Sequence, residues 1–374
     1  MLSKFRVKRY KSLYDTEVSL EPLTVFIGPN GSGKSNICEA LAVWSNFLEN
    51  ILQNNRLDLF IHICLIKAIQ SVNKNSQDLE SKFWQGDLKD LSCEFEIDLS
   101  FISSIHLIFE YPTKELTLQL DKKGENIQKF MTKSMSTINI KNDLLECKFL
   151  ESPLYLSFNK VKIYDFSPLN LSVNDQKSNQ QMDRTGKEIS ASLAKILLGD
   201  RNLFNELEDR LTRLVPNIAR IHLEYDANKN FKLELIDKYS EHHISASDIS
   251  DGTLRIIAFL AALYQEETPS IICFEEIENG VHPWLLHKMM ELLKIVSTEG
   301  INGKPVQILL TTHSPLILNY VEPHQVRAVE LDNEGKTQVH ALPTDSVRFQ
   351  KSLEAYDGEL GELWFTNVFG GNPV

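Results

Sequence analysis

GPNGSGKSN, from Gly28 to Asn36, decides how this chain is read. It fits the spacing G-x-x-x-x-G-K-[ST] through Gly28, Gly33, Lys34 and Ser35. Leu23-Thr24-Val25-Phe26-Ile27 precedes it, an apolar run that predicts a buried strand. Ile37, Ala40, Leu41, Trp44, Phe47 and Leu48 follow at helical spacing. Strand, glycine loop and helix together point successive backbone N–H groups and a helix N-terminus at a phosphate. Gly28, Asn30, Gly31, Ser32, Gly33, Lys34, Ser35 and Asn36 are therefore the expected lining for the phosphates of a nucleotide. Lys34 would reach the outer phosphates, and the Ser35 hydroxyl would ligate Mg²⁺.

The rest of the chain is compatible with a globular enzyme. Its 374 residues allow one to three domains, and its 42% apolar and 24% charged content is ordinary. A net charge of −12 argues against a generally basic nucleic-acid binder. Locally, Lys4, Arg6 and Lys8 alternate with Phe5 and Val7, and Arg9 and Lys11 follow. This strand is either an edge blunted by lysines or a contact to nucleotide or DNA phosphate. The five cysteines include no C-x-x-C pair, and Cys38 and Cys273 fall inside apolar elements. That pattern suits reduced thiols in a cytoplasm. No secretory signal follows the basic start. The most apolar window, Leu57–Ile69, is too short for a bilayer and holds Asp58, His62 and Lys67, so no membrane partner is expected.

Residues 1–49 read as a basic hairpin, a buried strand, the loop and its helix. Residues 50–90 are mixed helix and polar loop with an exposed tip at Asn73–Ser76. Strand-like runs at 91–99, 105–111, 115–120 and 161–166 predict an antiparallel sheet. Residues 171–188 are polar, and Ile189–Leu214 reads as helical. From Ile256 onward helix and strand alternate, the pattern of a parallel sheet. VRAVEL and KTQVHAL around Asp332–Gly335 predict a hairpin. No heptad tract suggests a coiled-coil arm.

Three further segments carry chemistry. In IICFEEIEN, Ile271–Asn279, a buried strand runs into Glu275 and Glu276. Paired carboxylates there are costly unless a charged group meets them. Glu275 would hold Mg²⁺ and Glu276 would polarise the attacking water. Otherwise Glu275, Glu276 and Glu278 cap the helix near Trp284. In VQILLTTHSP, Val306–Pro315, the strand ends at His313, placed to meet a γ-phosphate or its water. In SDGTLR, Ser250–Arg255, Ser250 and Gly252 open a helix and make a second anion site. One nucleotide needs no second γ-phosphate site, whereas two facing chains do. His242-His243 is declined as a metal pair, because neighbouring residues of a strand point to opposite faces. Cys273 with His282 is declined as well.

GPNGSGKSN, SDGTLR, EEIEN and TTHSP, in that order along the chain, resemble the ABC-type ATPase heads of the SMC, RecF and OLD families. The resemblance covers residues 1–49 and 245–320, and the WF–GG tail (Trp364, Phe365, Gly370, Gly371) is similar to that of small stand-alone relatives. It implies an α/β, two-lobed P-loop ATPase head: a mixed sheet core, an antiparallel β-subdomain and a smaller helical signature lobe. The nucleotide lobe would be residues 1–165 and 255–374, and the signature lobe 166–254. It implies ATP and Mg²⁺ as cofactors and a homodimer sandwiching two ATPs. Ser250 and Gly252 would cap the γ-phosphate in trans, Glu276 would be the catalytic glutamate, His313 the switch histidine, and Asn279–His282 the segment that communicates across the interface.

Three departures stand out. Glu275 occupies a position where aspartate is commoner, and Asp251 one where glycine is. Tyr164–Pro168 matches the glutamine loop but has no glutamine; Gln176, Gln180 and Gln181 come later. The expected function is an ATP-gated dimeric switch of an anti-phage or DNA-repair system that controls a separately encoded nuclease or effector, with DNA a candidate further partner. The tail after His313 holds no carboxylate set for cutting DNA. A nucleotide-gated scaffold, the energy subunit of a transporter and a condenser-like arm protein are the alternatives.

Overall fold

The computed structural model describes residues 1–53, 72, 92–97, 102–110, 115–122, 125–133, 160–172, 181–225, 227, 230–265 and 267–371. Asn73–Ser76, Leu57–Ile69, Gln176 and Gln180 lie outside them. The strands are β1 (Leu2–Tyr10), β2 (Leu13–Ser19), β3 (Leu23–Ile27), β4 (Ser92–Ile97), β5 (Ile102–Glu110), β6 (Glu115–Lys122), β7 (Glu125–Lys133), β8 (Val161–Tyr164), β9 (Ile218–Tyr225), β10 (Phe231–Asp237), β11 (His243–Ser245), β12 (Ile271–Glu275), β13 (Gln307–Thr312), β14 (Val326–Leu331) and β15 (Thr337–Ala341). The helices that matter below are α1 (Lys34–Gln53), α2 (Ile189–Gly199), α3 (Arg201–Leu214), α4 (Asp251–Leu263) and α5 (Pro283–Thr298).

The chain divides into two units. The first comprises Met1–Ile163, Pro269–Cys273 and Gln307–Val374; the second comprises Tyr164–Thr268 and Phe274–Val306.

The first unit carries an antiparallel sheet of order β2-β1-β4-β5-β6-β7. Leu2, Phe5, Val7 and Tyr10 of β1 are buried, and the basic residues alternate with them. The edge-strand reading of β1 is corrected here: the strand has a neighbour on each side. Its basic residues face acidic positions in register, Lys8 opposite Asp15, Arg6 opposite Glu17 and Glu94, and Lys4 opposite Glu96. Lys4 pairs with Glu17 and Arg6 with Asp15, each at 2.7 Å. Cross-strand charge pairing thus accounts for the alternation.

A second sheet has the order β15-β14-β3-β13-β12-β8. β3 is fully buried and lies parallel to both β13 and β14. Its continuous apolar run suits a strand covered on both faces. The predicted hairpin is present as antiparallel β14 and β15. Buried Gln307 ties β13 to the start of the chain. Its Oε1 accepts from Leu2 N at 2.9 Å, and its Nε2 donates to Leu2 O at 2.7 Å and to Glu21 O at 3.0 Å. Both amide N–H groups and the amide oxygen have backbone partners, which makes its burial tolerable.

The second unit holds α2 to α5 and a small antiparallel sheet of order β11-β10-β9. The single helix expected over Ile189–Leu214 is interrupted at Asp200, whose backbone is extended (φ −141°, ψ 99°). The Asp200 carboxylate caps α3 by accepting from Asn202 N and Leu203 N. An aspartate supplies its own acceptor to free helix N–H groups, so apolar periodicity on both sides does not require continuity. Tyr164, Phe166, Phe259 and Phe274 form an aromatic core, with Phe274 ring centroids 5.8 Å from Tyr164 and 5.2 Å from Phe259. Among the described residues no helix is long and apolar enough to cross a membrane, and the helices form no long coiled coil.

Candidate functional site

In the first unit, Ile27 at the end of β3 is the register partner of Thr312 at the end of β13. Gly28 and His313 therefore leave the same edge of the sheet. The Lys34 ammonium lies inside the loop. It donates to Gly28 O at 2.8 Å and Pro29 O at 2.9 Å, and His313 Nδ1 is 3.4 Å away. Gly33 adopts φ +102°, and a Cβ there would lie 2.1 Å from Thr337 Oγ1. A Cβ on Gly28 would lie 2.0 Å from the Val329 carbonyl oxygen. The loop is thus pressed against the β14–β15 hairpin, and only glycine allows the approach.

That hairpin braces the loop through residues the sequence reading missed. Thr337 Oγ1 donates to Ser32 O at 2.9 Å and meets Ser12 Oγ at 2.7 Å. Asn36 Nδ2 donates to the same Ser12 Oγ at 2.8 Å. Ser12 and Thr337 are 325 positions apart, and no local spacing marks them. Ser32 Oγ is buried and has no hydrogen-bond partner among the described residues. An orphaned hydroxyl, a buried ammonium and the start of a 20-residue helix at one loop fit the oxygens of a bound phosphate. Ser35 and Asn30 are exposed beside it.

In the second unit, buried Glu275 closes β12 and forms an ion pair with Arg184 through Nη2 and Oε2. Arg184 is a further residue missed from the sequence. It sits in a polar turn where Asp183 Oδ1 accepts from Thr185 N and Thr185 Oγ1, both at 2.7 Å. The Arg184 carbonyl accepts from Asp165 N at 2.7 Å, and Thr185 O accepts from Ser167 N at 3.0 Å. The segment Tyr164–Pro168, without its glutamine, is therefore laid alongside the turn that presents Arg184. Burial pushes the Tyr164 hydroxyl well above its ordinary range, and Gln265 Nε2 donates to it at 2.6 Å.

Glu276 adopts φ +46°, a left-handed conformation uncommon for a residue with a side chain. Asn279 holds it twice: its N donates to Glu276 O at 3.0 Å, and its Nδ2 to Glu276 Oε2 at 2.5 Å. The N-cap position of the following helix falls to a histidine, not to one of these carboxylates. His282 is the N-cap of α5, its Nδ1 accepting from Trp284 N at 3.2 Å.

Ser250 is the N-cap of α4, its Oγ accepting from Thr253 N at 3.3 Å. Exposed Asp251 lies in the first turn, where a negative charge complements the helix dipole. A Cβ on Gly252 would lie 2.7 Å from the Gly280 carbonyl oxygen. The start of α4 and the turn after Glu276 are therefore in backbone contact. Within each unit the expected residues come together: the loop with Lys34 and His313 in the first, and Glu275, Glu276, Ser250 and Gly252 with the Asn279–Gly280 turn in the second.

Residues 23–319 match the family described as "AAA domain, putative AbiEii toxin, Type IV TA system". The chain belongs to this AAA domain family. The matched span opens at β3 and runs past His313, so it encloses the phosphate loop, Arg184, Ser250, Gly252, Glu275, Glu276 and His313, while Ser12, Val329 and Thr337, which brace the loop, lie outside it. The chain is 23% identical to the "Retron Vc95 probable ATPase" of Vibrio cholerae, covering 90% of this chain and 74% of that protein. It is also 23% identical to the OLD nuclease of Thermus scotoductus, over 91% of this chain. It spans 64% of the length of that nuclease. Among solved structures, an SMC head bound to the C-winged helix domain of ScpA superposes with a TM-score of 0.55 at 13% identity, covering 91% of this chain and 98% of that one. The Pyrococcus furiosus Smc head with an extended coiled coil, bound to the C-terminal domain of ScpA, gives 0.52 at 13% identity, covering 95% and 99%. The AAA domain has an SMC head-like ATPase fold.

Proposed function

We propose that this chain hydrolyses ATP, and that ATP closes two copies into a dimeric switch. The phosphate loop carries the reading: a braced glycine cradle with Lys34 buried inside it and His313 3.4 Å from the ammonium. In this proposal Lys34 exchanges its two carbonyl acceptors for phosphate oxygens. The loop N–H groups, Gly31, Gly33 and the Ser32 hydroxyl bind the phosphates. Ser35 and Glu275 would hold Mg²⁺, which when bound neutralises charge on the β- and γ-phosphates. Glu276 acts as general base and His313 meets the γ-phosphate. The strained backbone of Glu276 and its two bonds to Asn279 support a carboxylate held in one orientation. Ser250 and Gly252 cap the nucleotide of the partner copy.

The relationship to proteins named as a retron ATPase and an OLD nuclease supports a defence role, in which the switch controls an effector acting on nucleic acid. A second reading, a nucleotide-gated scaffold with little turnover, is favoured by one observation. Arg184 already neutralises Glu275.

The deciding experiment compares wild type with Glu276→Gln. Phosphate release is measured alongside light scattering with ATP. The first reading expects turnover in wild type, and in Glu276→Gln a long-lived ATP-bound dimer without turnover. Equal, slow phosphate release in both would favour the scaffold. A variant that stays monomeric while wild type dimerises would refute the roles given to Glu275 and Glu276.

A further inference from the structure

The small sheet of the second unit gathers two histidines and a carboxylate that the nucleotide site does not use. His222 on β9 is the register partner of Glu234 on β10. His243 on β11 is the partner of Ile236, two residues along from Glu234 on the same face. One donor atom from each of His222, Glu234 and His243 lies within 4.8 Å of the others. His243 Nδ1 is 2.7 Å from Glu234 Oε2, and the two imidazole centroids are 4.8 Å apart. His242 precedes β11 and is not part of the cluster. Chelation across strands needs only one of the two adjacent histidines.

We propose that His222, Glu234 and His243 form a binding site for a divalent transition cation, with Zn²⁺ the best match to the donors. Two imidazoles and a carboxylate are a familiar three-ligand set for Zn²⁺, leaving a fourth position for water. Tetrahedral coordination at about 2.0–2.2 Å sets donors roughly 3.3 Å apart. The observed separations bracket that value. The adjustment falls on His222 and His243, whose side chains are 38% and 50% exposed, while Glu234 is buried in the sheet.

The surroundings supply an outer shell. Lys232 bonds Glu234 Oε1, leaving Oε2 toward the histidines. Glu224 lies 3.8 Å from His222 Nε2 and 3.3 Å from Lys232 Nζ. Two carboxylates against one ammonium give the patch a negative charge that a divalent cation offsets. Outer partners of this kind orient ligands and raise their basicity.

The test uses the full chain and Zn²⁺ in competition with a chromogenic chelator, together with Co²⁺ as a spectroscopic probe. Wild type should bind one equivalent. Co²⁺ should give the intense visible d–d absorption of a four-coordinate site. His222→Ala and His243→Ala should each weaken Zn²⁺ by at least about a hundredfold, more than loss of an outer-shell partner costs. His242→Ala should change it by less than about twofold. Zn²⁺ should raise the melting temperature of wild type and His242→Ala, but not of His243→Ala. Circular dichroism verifies that each variant folds. If wild type binds no Zn²⁺, or His222→Ala and His243→Ala bind it as wild type does, the cluster is an ion-pair patch and the proposal is wrong.

Discussion

Replacing Arg184 by alanine probes the least expected contact of the molecule. The Glu275 side chain is 6% exposed and that of Arg184 23%. Removing one partner of a buried ion pair costs about 3–5 kcal/mol, because the remaining charge keeps its desolvation penalty without its counter-ion. The guanidinium end is partly wet, so the lower limit applies, about 3 kcal/mol. Glu275→Gln keeps the shape and removes the charge, and should cost less, about 1–2 kcal/mol. In the double variant the penalty of the stranded carboxylate disappears, so the coupling energy should be about 2 kcal/mol. Urea unfolding without nucleotide reads this as a lower midpoint at unchanged slope. If Arg184→Ala unfolds within about 0.5 kcal/mol of wild type, the contact behaves as a surface pair and the reasoning fails. If Glu275 is a Mg²⁺ ligand as proposed, Mg²⁺ with ATP should restore part of the loss in Arg184→Ala. No recovery in the presence of bound nucleotide would argue against Glu275 as a metal ligand.

Lys34→Ala should abolish phosphate release and weaken nucleotide binding, as read by a fluorescent ATP analogue; unchanged turnover would overturn the loop assignment. Gly28→Ala should do the same by another route. Its methyl group would meet the Val329 carbonyl at 2.0 Å, so hydrogen exchange at the loop should rise even without nucleotide. Ser250→Arg should leave ATP binding to one copy intact and block dimer formation in light scattering. Normal hydrolysis by that variant would show that the segment does not act in trans.

The phosphate loop was legible because its chemistry is local: glycines for close approach, a lysine, a helix start. His313 was legible for a related reason, since a strand end in a parallel sheet is predictable from an apolar run and its polar stop. Arg184 was not. It comes from a polar stretch whose composition says loop, and its meaning depends on a carboxylate 91 residues away. Ser12 and Thr337 were invisible for the same reason. The edge reading of β1 failed because a basic alternation describes one strand, while the acidic partners that explain it lie on two others. The break at Asp200 shows the converse: periodicity ran through it, and a single capping side chain decided otherwise.

The order of strands in the second sheet has a consequence for biosynthesis. β3, which launches the phosphate loop, is made early, yet both of its neighbours, β13 and β14, lie beyond residue 306. Until they emerge from the ribosome, β3 presents two unpaired rows of backbone groups. That is an aggregation hazard for a nascent chain. Lys34 and its glycines are likewise complete long before His313, Val329 and Thr337 exist to shape them. The braced form of the loop therefore waits on residues about 300 positions downstream of it. A fragment ending before Val329 carries the whole binding motif but lacks the Val329 carbonyl and the Thr337 hydroxyl that press on the loop.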